Sequence, residues 1–122
     1  MKKSKHIVVA SNPFGYGPTG NAIPILYELV DRFQESSSTT VHFIGSGLCI
    51  ELLPDIEGVV IHQIDERSVE ELESFLLTLD GSVLCVAVQN RFLSVASKNA
   101  GIECYFLDLL AWFGLKFQEN IW

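Results

Sequence analysis

A chain of 122 residues, 48% of them hydrophobic and 19% charged, fits one domain over residues 1–122 and has the apolar material for a core, which excludes intrinsic disorder. Fifteen acidic residues against eight basic ones give a formal net charge of −7, so the chain lacks the cationic footprint that a nucleic-acid backbone requires. Lys2, Lys3 and Lys5 form the only basic cluster and read as a solubilising end.

In chain order, residues 6–10 (HIVVA) make a β-branched run suited to a buried strand. The loop SNPFGYGPTG follows, and a helix is expected over about 21–35, with Ile25, Leu26, Leu29, Val30 and Phe33 at helical spacing. Asn21 is placed to cap that helix, which puts Pro24 in its first turn, where a proline is tolerated. A second strand is expected over 41–44, then Gly45-Ser46-Gly47, a short helical stretch ended by Pro54, and a third strand over 59–64. Ser68 followed by Glu71 has capping-box spacing and opens a helix carrying Val69, Leu72, Phe75, Leu76 and Leu79. Residues 83–88 (VLCVAV) are apolar without alternation, as in a central parallel strand covered on both faces. A helix through Val95 and Ala96 leads to Gly101 and a fifth strand over 102–107.

Strands alternating with helices imply right-handed crossovers and an α/β fold, a Rossmann-like doubly wound parallel sheet of about five strands. Ligands of such sheets bind beyond the carboxyl ends of the strands. That rule directs attention to residues 11–21, 45–47, 65–66, 89–90 and 108.

Gly15-Tyr16-Gly17-Pro18-Thr19-Gly20 is GxGxxG between a strand and a helix. A dinucleotide fingerprint places its first glycine directly after the strand and an acid at the end of the second strand. Here four residues intervene, and the second strand runs into Gly45-Ser46 with no acid. A glycine-rich loop feeding a helix N-terminus still presents N–H groups and partial positive charge to an anionic or polyhydroxyl ligand, and Gly15, Gly17, Thr19 and Gly20 are its candidate contacts.

Read together, SNPFGYGPTGNAIPILYEL resembles the opening of GT-B glycosyltransferases, and is similar to the UDP-glycosyltransferases and the peptidoglycan N-acetylglucosaminyltransferases. Those families open with a strand, a Gly-rich loop, Gly-His-x-x-Pro and a Leu-rich helix, a pattern occupied here by Gly20-Asn21-Ala22-Ile23-Pro24. Residues 96–102 (ASKNAGI) resemble the turn before the fifth strand of the same domain. The resemblance implies the N-terminal, acceptor-binding half of such an enzyme, with the nucleotide-sugar donor held by a second domain or a partner chain. It also implies a catalytic base where this chain has Asn21, and an orienting acid where the fourth strand ends in Gln89-Asn90. A carboxamide takes no proton near neutral pH, so Asn21, Ser46, Gln89 and Asn90 are expected as hydrogen-bonding ligand contacts, with Asp108 the remaining catalytic candidate.

His6, His42 and His62 share no spacing and read as structural or solvated, and no metal site or cofactor is expected. Asp65-Glu66 and Glu70-Glu71-Glu73 read as solvated faces. Cys49, Cys85 and Cys104 lack metal-ligand spacing and point to a reducing compartment. With no apolar run of about 18 residues and no signal-peptide pattern, a cytoplasmic protein is expected. The tail 109–122 ends in large apolar groups, which either pack back across the sheet edge or, the favoured reading, make Trp112, Phe113, Phe117 and Trp122 the contacts of a donor domain or partner chain. The leading function is therefore an acceptor-binding glycosyltransferase module for a small-molecule or lipid-linked sugar acceptor. The alternatives are a non-catalytic nucleotide- or sugar-binding domain and, more weakly, a dinucleotide-binding oxidoreductase module.

Overall fold

A computed structural model of the chain describes residues 4–12, 17–33 and 38–107. Five strands, β1 (Lys5–Ser11), β2 (Thr39–Gly45), β3 (Val59–Gln63), β4 (Ser82–Val88) and β5 (Glu103–Leu107), alternate with helices α1 (Gly17–Phe33), α2 (Leu48–Glu51), α3 (Val69–Leu77) and α4 (Arg91–Asn99). All strand pairs are parallel, in the order β3-β2-β1-β4-β5. This is the expected Rossmann-like doubly wound arrangement. The apolar runs 7–10 and 85–88 belong to β1 and β4, which lie inside the sheet and need no polar face.

Alternation along the strands sorts side chains onto two cores. Val9, Phe43 and Val88 face α1 and α2, where they meet Ala22, Leu26 and Cys49. Val8, Ala10, Ile44 and Ala87 face α3 and α4, where they meet Leu72, Leu76, Leu93 and Ala96. Leu26, Phe43, Leu72, Leu76 and Leu93 are fully buried, and each contributes about 1.5–3 kcal/mol relative to exposure.

The caps of the two later helices differ in how far their sequence announces them. Ser68 accepts from Glu71 N at 3.2 Å, as its spacing predicts. Asn90 caps α4 by accepting from Leu93 N at 2.9 Å, a role its place at the end of β4 conceals. Gly81, before β4, has φ +93°, and a Cβ there would collide with the Ser4 carbonyl.

The start of α1 corrects one expectation. The helix begins at Gly17, so Asn21 is its fifth residue and cannot be its N-cap. Pro18 lies in the first turn, where its missing N–H is an orphan in any helix and its fixed φ is already helical, so it admits the earlier start. Pro24 consequently sits inside the helix, where it removes the bond to the Gly20 carbonyl.

Candidate functional site

The helices that follow β1 and β4 pack on opposite faces of the sheet, the arrangement that in open α/β sheets places the ligand crevice beyond the carboxyl ends of two such neighbouring strands. Backbone bonds fix its floor. Asn12 N donates to Val88 O at 3.0 Å and Gln89 N donates to Leu107 O at 2.7 Å, so the ends of β1, β4 and β5 are joined. Asn12 Nδ2 donates to Gln89 O at 3.0 Å, closing the gap between the two central strands above the last ladder pair.

Asn90 lies beneath this floor with its side chain fully buried. While its Oδ1 caps α4, its Nδ2 donates to Ser11 O and to Glu66 O, both at 3.0 Å. One carboxamide thus ties β1, the turn after β3 and the start of α4. Both amide protons are committed to backbone, so Asn90 is a structural clamp with no proton left for a ligand.

Glu66 corrects a second expectation, for it is 2% exposed rather than solvated. Asp65 takes the outward position of the turn and accepts from Arg67 N at 3.0 Å, which leaves Glu66 to point inward. Its carboxylate accepts from Ser46 Oγ at 2.7 Å and, weakly, from Cys49 Sγ at 3.8 Å. Ser11 Oγ in turn donates to Cys49 Sγ at 3.8 Å. The result is a buried polar network of Ser11, Ser46, Cys49, Glu66 and Asn90 that spans the ends of β1, β2, β3 and β4. Among the described residues, no buried side-chain nitrogen or oxygen lacks a hydrogen-bond partner.

Gly45 allows α2 to approach, because a Cβ there would meet Cys49 Cβ at 3.0 Å and the Phe43 ring at 3.1 Å. Gly20 is different, since a Cβ at that position would meet nothing within 4 Å. The third glycine of a dinucleotide fingerprint exists to let helix and strand pack closely, and Gly20 has no such neighbour. Gln89 is the only described non-glycine residue with positive φ, at 55°. Bulky side chains seldom adopt that conformation, and its presence at a strand end marks a functional candidate.

Of the expected site residues, Ser46, Gln89 and Asn90 come together at the carboxyl edge, with Asn12 joining them. Gly17, Thr19 and Gly20 lie in the first turn of α1 and Asn21 follows. Gly15, Asp108, Trp112, Phe113, Phe117 and Trp122 lie outside the described residues. Asn12, Cys49 and Glu66 are members that sequence reasoning did not single out, and the signal for Asn12 and Glu66 was their place just after the first and third strands.

Among the described residues no group of three or more His, Cys, Asp or Glu side chains could hold a metal ion. No described helix is long and apolar enough to cross a membrane. The chain matches no protein-family model and no curated protein.

Proposed function

We propose that this chain is the acceptor-binding module of a glycosyltransferase, moving a sugar from a nucleotide-sugar only together with a donor-binding domain in the same chain or a partner. The observation that carries this reading is the neutral polar rim at the β1–β4 crevice, formed by Asn12, Ser46 and Gln89 on the rigid floor clamped by Asn90. Amides both donate and accept, and the Ser46 oxygen, its proton given to Glu66, can still accept, which suits the hydroxyls of a sugar. The likeness of Gly20-Asn21-Ala22-Ile23-Pro24 to the acceptor-domain motif supports the same assignment.

Sugar transfer needs a base for the acceptor hydroxyl. Asn21 cannot supply one, and Glu66 is buried with its oxygens held by Ser46 and Cys49. On this reading the base is Asp108 or belongs to the donor domain. Among the described residues the rim offers amides and a hydroxyl, which favours, as a second reading, a sugar- or nucleotide-binding domain without catalysis. A dinucleotide role draws no support from Gly20 or from the end of β2.

The test is calorimetric titration of the chain with UDP-N-acetylglucosamine, NAD and a panel of saccharide acceptors, alongside turnover assays with and without a donor domain. Acceptor binding, with turnover only when the donor domain is added, is the expected result. Turnover by the chain alone, or tight NAD binding, would overturn the proposal. Acceptor binding without turnover in either setting would select the second reading.

A further inference from the structure

Three histidines without sequence spacing meet on the sheet. His6 of β1, His42 of β2 and His62 of β3 lie diagonally across adjacent strands on the face covered by α3. His6 Nδ1 and His42 Nε2 are 2.9 Å apart, as are His42 Nδ1 and His62 Nε2. The central ring is buried and uses both of its nitrogens. Phe75 of α3 closes over the ladder, with ring centroids 4.6 Å from His62 and 5.9 Å from His42. The rings run head to tail and do not converge on one point, so the arrangement is a hydrogen-bond chain and not a metal centre.

Proton counting limits what this chain can carry. Each N···N link holds one proton, because with none there is no donor and with two the donors face each other. The two links hold two protons, and the outer nitrogens, His6 Nε2 and His62 Nδ1, hold one or two more. The intact ladder is therefore neutral or singly charged, whereas three separate imidazoles accept three charges. Acid must break the links.

Among the described residues, neither α3 nor β4 turns an anion toward the ladder. From α3 the facing groups are Phe75, Leu72 and Leu76, while Glu70 and Glu71 are exposed and Glu73 reaches Asn99 of α4. From β4 the one titratable group on this face is Cys85, whose burial and whose neighbour Cys104 push its thiol up to about 12, so it stays neutral. Lys5 and Glu103 share a surface groove with His6 at the amino end of the sheet. Burial first, then the positive charge of His62 and His6, lowers His42 to about 4. Burial likewise lowers His62.

We propose that His6, His42 and His62 form an acid-release latch that holds edge strand β3 and helix α3 on the sheet at neutral pH and frees them below about pH 6. Because the folded state takes fewer protons than the unfolded one, stability is complete above the ordinary histidine range and falls as pH drops through it. Exclusion of two protons lowers the folding constant by roughly a hundred- to a thousandfold between pH 7.5 and pH 5. β3 leads directly to Glu66, so release would also dismantle the polar network at the carboxyl edge. The latch itself does not depend on the proposed glycosyltransferase role.

Nitrogen-15 NMR of the intact wild-type chain across pH 4.5–8 provides the test, with amide exchange measured strand by strand. The expected result is complementary tautomers joined by N–H···N bonds at pH 7.5, followed below pH 6 by loss of protection in β3 and α3 ahead of β4. Three imidazoles titrating independently near the ordinary value, or β3 as protected as β4 at pH 5, would overturn the latch. His42→Phe keeps an aromatic ring against Phe75 and removes both links, and should flatten the dependence of the unfolding midpoint on pH. If that variant folds and keeps the full wild-type dependence, the latch is equally overturned.

Discussion

Ser46 Oγ donates to the Glu66 carboxylate at 2.7 Å, which ties the turn after β2 to the turn after β3. Glu66 is buried, and the thiol of Cys49 at 3.8 Å is its only other described side-chain donor. Removing the hydroxyl leaves a carboxylate oxygen without its strong donor, a loss worth about 1–3 kcal/mol. Ser46→Ala should therefore lower the unfolding free energy by that amount, read as a lower urea midpoint with an unchanged slope. Glu66→Gln should cost less, because its amide oxygen still accepts from Ser46. Equal stability of Ser46→Ala and wild type would show that the contact is dispensable.

Asn90 offers a sharper test, because aspartate is normally as good a helix cap as asparagine. Here the cap is only one of three bonds, and Nδ2 faces the carbonyls of Ser11 and Glu66. Asn90→Asp keeps the acceptor for Leu93 N and turns a second oxygen toward two carbonyls. It should destabilise by more than the ~1 kcal/mol of an ordinary cap loss, and by at least as much as Asn90→Ala. Chemical denaturation of both variants decides. An aspartate as stable as wild type would mean that the clamp to Ser11 and Glu66 carries no weight.

Cys85 is fully buried in β4, and burial, with Cys104 beside it in register, pushes its thiol from 9.0 up to about 12. The thiolate is the reactive form, so Cys85 should resist alkylation in the folded chain while the partly exposed Cys104 reacts first. Since the unfolded thiol ionises above about pH 9 and the folded one does not, the unfolded state binds fewer protons there. Stability should fall from pH 9 upward, and Cys85→Ala should weaken that alkaline dependence. Mass-resolved alkylation and denaturation at pH 8 and pH 10 check both statements.

The fold was legible because its signals are local. VLCVAV reads as a central strand from its unbroken apolar run, and Ser68 with Glu71 reads as a cap from spacing alone. α1 starts four residues before Asn21, because Pro18 suits a first turn as well as Pro24 does, and spacing alone does not weigh one against the other. Glu66 and the histidines were hidden for a different reason. Their partners stand 20 residues or more away in the chain, Ser46 for Glu66 and His42 for His62, and strand order and register bring them together. No spacing rule along one chain can express a relation that exists only across a sheet. Asn90 was half legible, since its position at the β4–α4 corner could be read while the direction of its amide protons could not.

Gln89 separates stability from function. Its φ of 55° suits glycine, and its backbone is held on both sides, with N on Leu107 O and O on Asn12 Nδ2. A non-glycine residue in this region carries strain of order 1–3 kcal/mol, and the gain from glycine is partly offset by the greater freedom of the unfolded chain. Gln89→Gly should thus leave stability unchanged or raise it by up to about 1 kcal/mol. If the carboxamide is retained there because it meets a sugar hydroxyl, the same variant should bind the acceptor at least several-fold more weakly. A more stable protein with weaker binding would show that the strain serves the ligand. A more stable protein with full affinity would remove Gln89 from the site and leave Asn12 and Ser46 as the rim.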